Sequence, residues 1–251
     1  MMCWKKKIPT SWEHSTKTAL LFGINAYGGA NNLNGCLNDL KTVRNSLPDF
    51  QIREFKDREV TRKCFRGELT YVFTNAVEGD MIYVHYSGHG SFIPDTSGDE
   101  IDGYDETLYL YDGNFVDDEL AELMTLIPYG VTVVLGMDCC YSGTNTRDII
   151  KTRFMPPKKF TPAHKRVRRM FKAYQNYVLM SACSENETSS DALINGVWQG
   201  AYTFYAFSCL SRGLTYRKWG EQIRLRLPNK NFSQTPQIEG ADYLLDRLVF
   251  Q

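Results

Sequence analysis

Mostly apolar runs of strand length recur along the chain and alternate with amphipathic stretches. Residues 17–25, 81–86, 131–137 and 177–182 are such runs, and each leads into a stretch rich in glycine or small polar residues. A strand that is apolar on both sides is typical of a parallel sheet that is covered on both faces. These four segments therefore predict the central strands of such a sheet.

Helical periodicity lies between the predicted strands. Leu37, Leu40, Val43 and Leu47 are spaced by three or four residues, which places them on one face of a helix over 36–47. The same pattern predicts further helices over 61–77, 117–127, 200–210 and 216–227. Strands that alternate with helices favour right-handed crossovers, so we predict an α/β fold with a mostly parallel sheet.

Composition and charge exclude several classes of protein. The chain has 251 residues, 43% of them apolar, which is enough for one large domain with a full core or for two small ones. Because 29 basic residues balance 29 acidic ones, we predict no general attraction to nucleic acid or to a membrane surface. The seven cysteines are irregularly spaced and form no Cys-x-x-Cys pair, which indicates free thiols in a reducing, cytoplasmic location.

A basic stretch divides the chain. Residues 151–172 contain nine lysines or arginines and no acid, and their simplest interpretation is a solvated surface excursion. They separate a larger part, 17–150, from a smaller part, 173–251, while 1–16 form an N-terminal extension. The smaller part has too few predicted strands to bury itself, so we expect both parts to share one sheet.

Two predicted strands lead into residues that carry chemistry. The strand over 81–86 runs into His89 between two glycines, and the strand over 131–137 runs into Cys140. Reactive groups gather at the carboxyl ends of parallel strands, and an imidazole beside a thiol stabilises the thiolate near neutral pH. A cysteine pair is also a common core filler, and a His between glycines can simply form a turn. His85, inside a strand pattern, is interpreted as a packed core histidine.

The residues at these two strand ends match a known family. Tyr86-Ser87-Gly88-His89-Gly90 and Asp138-Cys139-Cys140-Tyr141-Ser142-Gly143 resemble the histidine and cysteine motifs of metacaspases, the caspase-like cysteine peptidases found outside animals. Cys140 lies 51 positions after His89, close to the spacing of about 50 in caspases. Further segments similar to the family follow in order, over 34–39, 98–106, 117–120, 181–183 and 234–237, so the resemblance covers residues 17–240.

The resemblance implies a caspase-like three-layer sandwich with a mostly parallel, six-stranded sheet and helices on both faces. It implies that Cys140 is the nucleophile, that His89 is the general acid and base, and that the amides of Gly90 and Cys140 form the oxyanion hole. The positions that match the primary specificity pocket are Asp39, Asp138, Ser87 and Cys36. Two carboxylates in a partly desolvated slot favour a cationic side chain, so we expect protein or peptide substrates cut after Arg or Lys. The alternative for Asp39 is an acid on a helix surface.

Acidic residues near the predicted site raise the question of a metal. Six acids lie between Asp95 and Glu106, and Asp117 and Asp118 follow. Several carboxylates on loops suit Ca²⁺, although the spacing is not that of an EF-hand and a solvated acidic loop is the alternative. The resemblance to calcium-activated metacaspases implies calcium ligands at Asp117, Asp118, Asp102, Asp105 and Asp148.

Other features leave alternatives open. Tyr141 stands where metacaspases usually carry His, and no long proline-rich prodomain is present, so we expect a compact version of the family. An enzyme that cuts after Arg or Lys would find its own preferred sites in 151–172, which predicts self-cleavage there. The competing interpretations are a caspase-like regulatory or binding module without turnover, and a different acyl-transfer hydrolase. Because His89 and Cys140 are both present, the peptidase is favoured, as a monomer or weak oligomer.

Overall fold

The structure, a computed structural model, has a six-stranded sheet running through its middle. It describes residues 17–94, 103–140, 150–157, 177–184 and 187–251. The strands are β1 (Lys17–Gly23), β2 (Gln51–Lys56), β3 (Met81–Ser87), β4 (His89–Pro94), β5 (Tyr104–Leu110), β6 (Gly113–Val116), β7 (Thr132–Asp138), β8 (Ile150–Thr152), β9 (Tyr177–Ser181), β10 (Ser190–Ile194), β11 (Val197–Gly200) and β12 (Gln237–Glu239). The helices are α1 (Cys36–Ser46), α2 (Arg62–Asn75), α3 (Asp117–Met124), α4 (Ala201–Ser208), α5 (Tyr216–Arg224) and α6 (Asp242–Leu245).

The central sheet has the strand order β12-β9-β7-β3-β1-β2. The five strands from β9 to β2 are parallel, and only β12 runs antiparallel to its neighbour β9. The predicted mostly parallel, six-stranded α/β sheet is therefore confirmed. Because β9 and β12 belong to the smaller part of the chain and pair on to β7 of the larger part, the two parts share one sheet.

Helices cover both faces of this sheet. Along β1, Leu20 and Phe22 point into one core, whereas Ala19 and Leu21 point into the other. The first core is closed by α2 and α3, and the second by α1, α4 and α5. This alternation follows from the period of two residues in a strand, and it produces a three-layer sandwich.

Two short antiparallel sheets lie beside the main one, and the sequence did not predict them. The polar sequence of 88–106 favours a loop, but residues His89–Pro94 form β4, which pairs with β5 in a three-stranded sheet with β6. The other sheet has the order β11-β10-β8. These strands are short, and β8 pairs with β10, which lies far away in the sequence, so local apolar patterning indicates the two sheets weakly.

The start of the basic stretch is not a solvated excursion. Residues Ile150–Thr152 form β8 against β10, and the next residue, Arg153, is fully buried. The expectation of a solvent-exposed loop is therefore wrong for these first residues, because hydrogen bonds and ion pairs hold them in the interior. The remainder, 158–172, lies outside the described residues.

Other predictions concern single residues. His85 is fully buried within β3, where its Nδ1 lies 3.1 Å from the hydroxyl of Tyr83, which confirms a packed core histidine. His14 and His164 lie outside the described residues. The six cysteines within the described ranges are free thiols, as predicted. Over the same ranges, no helix has the length and apolar character that crossing a membrane requires.

The burial of His85 predicts how stability depends on pH. Burial lowers its pKa to about 4, whereas an unfolded histidine has a pKa of about 6.5. Between these values the unfolded chain binds a proton that the folded chain does not, so stability falls as the pH drops from 6.5 toward 4.

We expect His85→Gln to remove this contribution, which amounts to about 1.4 kcal/mol per pH unit. Urea unfolding at several pH values between 6 and 4.5 would measure it. Both proteins would carry Cys140→Ala, which excludes the expected self-cleavage. Equal slopes of unfolding free energy against pH in the two proteins would contradict the prediction.

Candidate active site

The predicted histidine and cysteine emerge from neighbouring strands. β3 and β7 are paired in parallel, and Ser87 lies opposite Asp138 at their carboxyl ends. The chain then continues to His89, at the start of β4, and to Cys140. Main-chain hydrogen bonding joins the two turns, because the N–H of Gly88 donates to the carbonyl of Asp138 at 3.3 Å. Sheet register therefore brings the two residues to one rim.

The ring of His89 is oriented by a backbone carbonyl. Its Nε2 lies 2.7 Å from the carbonyl oxygen of Asn31, which can only accept, so Nε2 carries the proton. In the neutral ring Nδ1 then carries the lone pair, and this buried nitrogen has no hydrogen-bond partner among the residues that the structure describes. The ring also packs at 4.5 Å from the ring of Tyr27, whose hydroxyl accepts a hydrogen bond from the His89 N–H. The described contacts therefore place a basic nitrogen at the rim.

Cys140 is covered by the chain itself. Its side chain is fully buried, and burial raises the pKa of its thiol well above the usual value. Burial also lowers the pKa of His89 to about 4. In this arrangement both groups are neutral at pH 7, so the expected thiolate–imidazolium pair is not the state that the buried site favours.

Two backbone amides converge on a single carbonyl oxygen. The N–H of Gly90 donates to the carbonyl of Arg153 at 2.9 Å, and the N–H of Cys140 donates to the same oxygen at 3.2 Å. These are the two amides that the family resemblance named for the oxyanion hole. The carbonyl oxygen of Arg153 thus lies between two fixed donors, which is the arrangement that an oxyanion hole requires.

The side chain of Arg153 fills an acidic pocket. Its guanidinium contacts Asp39 at 2.6 Å, Asp191 at 3.1 Å and Asp138 at 3.3 Å, and all four side chains are fully buried. Its Nη1 also donates to the hydroxyl of Ser87 at 2.7 Å. The pocket thus combines Asp39, Asp138 and Ser87, which the sequence named, with Asp191, which it did not. The interpretation of Asp39 as a helix-surface acid is wrong, because no part of it reaches solvent.

The carboxylates of this pocket have other donors besides Arg153. Asp39 accepts from the N–H of Gly200 and from Ser87, and Asp191 accepts from the N–H groups of Asn34 and Gly35. Asp138 accepts from the hydroxyl of Ser189 and from the N–H and hydroxyl of Thr203. The carboxylate positions are therefore fixed by the surrounding fold, which preorganises the pocket for a cation.

Burial and crowding of like charge act on the pocket residues. Burial, the largest effect, and the neighbouring Asp138 raise the pKa of Asp39 to about 7, while Arg153 and the hydrogen bond from Ser87 act in the opposite direction. Burial also raises the pKa of Cys36, which is in contact with Ser87 and lies at the start of α1. The buried cation Arg153 therefore favours the ionised form of Asp39 against the effect of burial.

The proposed calcium ligands are dispersed over several elements. Asp117 and Asp118 begin α3, where acidic side chains interact favourably with the helix dipole, and Asp105 is buried in β5. Asp102 and Asp148 lie outside the described residues. Over the ranges that the structure describes, no three His, Cys, Asp or Glu side chains are grouped as a metal site requires.

The sequence analysis did not identify three residues of the site. Asp191 is a single acid at the edge of the apolar strand β10, and such a charge inside a strand pattern is a usable signal. Arg153 was one of nine basic residues in its stretch, and nothing in the local sequence distinguishes it. Asn31 acts through its backbone carbonyl, which carries no side-chain signature.

Comparisons with known proteins show the family of this chain. The family model of the caspase domain matches residues 16–244. Metacaspase-1 of Mycosarcoma maydis is 28% identical over 93% of this chain and 72% of its own length. Metacaspase-1 of Schizosaccharomyces pombe is 28% identical over 88% of this chain, and Metacaspase-1 of Arabidopsis thaliana is 31% identical over 86%; the chain spans 66% of the length of each.

A solved structure is similar over almost the whole chain. The crystal structure of protein GSU0716 from Geobacter sulfurreducens superimposes with a TM-score of 0.71 at 28% sequence identity. The match covers 94% of this chain and 98% of the other. The similarity therefore extends beyond the catalytic motifs to the complete fold.

Gly200 predicts a specific way to disrupt the pocket. A Cβ at this position would overlap a carboxylate oxygen of Asp138 and lie 2.8 Å from Nη1 of Arg153. Asp138 is held by Ser189 and Thr203 and has no room to shift, so we expect Gly200→Ala to destabilise the protein by about 1–3 kcal/mol.

Gly67→Ala is the matched control for this substitution. Its Cβ would meet nothing within 4 Å in the middle of α2, so it should stabilise the protein by up to about 1 kcal/mol. Urea unfolding in the Cys140→Ala background would measure both changes. Unchanged stability in Gly200→Ala would mean that the pocket is less rigid than its contacts indicate.

Proposed function

Because the chain belongs to the caspase-domain family of cysteine peptidases, we propose that it is an endopeptidase that cuts after Arg or Lys through Cys140 and His89. One observation carries the proposal. An arginine lies with its guanidinium among three carboxylates and its carbonyl oxygen on the amides of Gly90 and Cys140. A basic residue at the cleavage position of a substrate would be held by the same contacts.

The mechanism follows from the hydrogen bonds of the two catalytic residues. With its proton on Nε2, facing Asn31, His89 can take the thiol proton of Cys140 on Nδ1. The sulfur then attacks the carbonyl carbon, and the oxygen gains negative charge between the amides of Gly90 and Cys140. The imidazolium gives its proton to the leaving amine. Water hydrolyses the thioester, with His89 again acting as the base.

Charge in the pocket supports specificity for cationic side chains. Asp39, Asp138 and Asp191 would repel an acidic side chain and leave an apolar one among buried charges. A guanidinium can contact several carboxylates at once because it presents donors in a planar fork, whereas the ammonium of lysine is a single charge. We therefore propose that arginine is preferred over lysine and that acidic residues are rejected.

A regulatory or binding module is the second candidate. The observation in its favour is the burial of both Cys140 and His89, which leaves the cleft closed to another chain in this arrangement. The peptidase is favoured because Arg153 contacts the three carboxylates and the two backbone amides that the proposed mechanism uses. A binding module does not require a carbonyl that accepts hydrogen bonds from two backbone amides next to a cysteine.

Removal of the sulfur tests the proposed nucleophile. We expect Cys140→Ala to reduce kcat/KM for a fluorogenic arginyl peptide by about 10⁴-fold or more, because the proposed thioester forms on this sulfur. Cys209→Ala is the control, since Cys209 is half-buried at the end of α4, away from the rim, and should leave the activity unchanged.

Matched peptides with Arg, Lys, Ala or Asp before the cut bond would test specificity in the same assay. The expected order is Arg, then Lys, with negligible cleavage after Ala or Asp. Activity that persists in Cys140→Ala would remove the assigned nucleophile, and preferred cleavage after Asp would remove the assigned pocket.

Calcium and self-processing complete the proposed function. We propose that calcium raises activity with Asp117 and Asp118 among its ligands, and that the enzyme processes itself within 151–172. Support for calcium is the acidic sequence and its resemblance to calcium-activated relatives. The described residues contribute no three-ligand cluster, so no step of the mechanism is assigned to the ion.

The effect of calcium is expected to disappear with its ligands. In the arginyl-peptide assay, added Ca²⁺ should increase the rate several-fold, and a chelator should reverse the increase. The double variant Asp117→Asn, Asp118→Asn should lose most of this response, whereas Asp49→Asn, at an exposed position before β2, should keep it. An equal calcium response in both variants would exclude Asp117 and Asp118 as ligands.

A further inference from the structure

Residues 150–155 lie between two strands that belong to different sheets. On one side β8 pairs antiparallel with β10, and the N–H of Arg153 donates to the carbonyl of Ser189 at 3.0 Å. On the other side the N–H of Gly90 donates to the carbonyl of Arg153, and the N–H of Met155 donates to the carbonyl of Gly90 at 2.8 Å. The segment is thus held as an inserted strand, which is a common way for proteins to bind an extended peptide.

The contacts single out one peptide bond. The carbonyl of Arg153 accepts hydrogen bonds from the amides of Gly90 and Cys140. It belongs to the peptide bond that joins Arg153 to Phe154. The main chain is fixed before this bond by Ser189 and after it by Gly90, and the ring of Phe154 stacks on Phe92 with centroids 5.8 Å apart. The hydroxyl of Ser91 also donates to the carbonyl of Met155 at 2.6 Å. Both sides of the bond are therefore held in place.

A purely structural ion pair does not explain this arrangement. An arginine that only neutralised the carboxylates would need its side chain in the pocket, while its carbonyl could point anywhere. Here the carbonyl oxygen occupies the position between the amides of Gly90 and Cys140. The carboxylates of Asp39, Asp138 and Asp191 are also positioned by donors other than Arg153.

We propose that the Arg153–Phe154 peptide bond is the enzyme's own bound substrate and the first bond that it cuts. Until this bond is cut or the segment leaves, residues 150–155 exclude other substrates from the cleft. This inference rests on the proposed function, because it assigns the same sulfur, amides and pocket to one specific bond. It also explains why Cys140 and His89 are buried in an otherwise complete site.

The proposed cleavage is a hydrolysis, and water is the only other reactant that it requires. The sulfur of Cys140 bonds to the carbonyl carbon of Arg153 after its proton passes to His89. The bond from this carbon to the nitrogen of Phe154 then breaks, and the proton moves from His89 to that nitrogen, which becomes a new amino terminus. Water hydrolyses the thioester, which gives a carboxylate on Arg153 and restores the thiol.

The cut is intramolecular. Only nine residues separate Cys140 from Ile150, and both ends of that connection lie in the described site, so the segment belongs to the same molecule as the sulfur. A group held beside its reaction partner within one molecule reacts at a rate that does not depend on concentration. Processing of one molecule by another would show a rate that rises with protein concentration.

The first experiment identifies the earliest cut. Purified full-length protein is incubated at concentrations that span a hundredfold range, and the fragments are analysed by amino-terminal sequencing. We expect Phe154 to be the first new amino terminus, with the same first-order rate constant at every concentration. Cys140→Ala should stay intact at this bond, even when mixed with active enzyme, because its own cleft holds the bond.

The second experiment measures access to the sulfur without requiring turnover. In a His89→Ala background, which cannot process itself, alkylation of Cys140 by iodoacetamide is followed by mass spectrometry. Arg153→Gln should increase the rate about tenfold or more, because the guanidinium no longer holds the segment. Arg212→Gln, which removes a charge at an exposed position, should not change it.

Arg153→Lys keeps a cation in the pocket, so it provides a second test if the glutamine variant does not fold. With His89 present, it should still be cut after residue 153, although more slowly. Circular dichroism would establish that both position-153 variants are folded.

The outcomes separate this inference from the proposed function. If arginyl peptides are cut, but the 153–154 bond is not the first to break and Arg153→Gln leaves alkylation unchanged, the inference is overturned and the proposed function stands. The inference is also overturned if added active enzyme cuts Cys140→Ala at this bond as fast as the wild-type chain cuts itself. If no variant, Arg153→Gln included, cuts an arginyl peptide, the proposed function fails and the inference fails with it.

Discussion

A buried guanidinium among three carboxylates is the interaction on which the active-site region depends. Asp39 comes from α1, Asp138 from the end of β7 and Asp191 from β10, so no two of these acids belong to one element. Taking each of these ions out of water costs several kcal/mol, which only close contact with opposite charge and hydrogen bonds can offset. The cluster therefore joins the main sheet, one of its covering helices and the small β11-β10-β8 sheet through ion pairs and hydrogen bonds.

The segment that carries Arg153 also affects the protonation of Cys140 and His89. While the 150–155 segment covers the site, burial stabilises the neutral forms of both the thiol and the imidazole. Entry of water after the segment leaves would weaken both effects and bring the pKa of Cys140 and the pKa of His89 toward each other. Under the proposed function, the same few residues would determine both which side chain is recognised and when the sulfur becomes reactive.

The sequence predicted the parts of the molecule that depend on local pattern. The inner strands β1, β3, β7 and β9 are apolar on both faces, and this pattern predicted the sheet. The motifs at the ends of β3 and β7 indicated the family and the positions of His89 and Cys140. The short strands were missed because β4 has only six residues and β8 only three, and because β8 is defined by β10, a partner far along the chain.

The place of Arg153 could not be derived from its sequence neighbours either. Its contacts with Gly90, Ser87 and Asp39 all cross large sequence separations, and a run of basic residues ordinarily indicates solvent exposure. The identity of the acids in the pocket was accessible through the family motif for Asp39 and Asp138. Asp191 required the fold, since it becomes a pocket residue only when β10 is placed beside Asn34 and Gly35.

The shared sheet has a consequence for a chain that has been nicked. β9 continues the main sheet beside β7 over five paired residues, and the carboxylate of Asp191 bonds to the main chain ahead of α1. Severing the backbone between these two halves would remove none of those contacts. The two polypeptides would migrate as a single particle under native conditions and separate only in denaturant, so covalent continuity is dispensable once folding is complete.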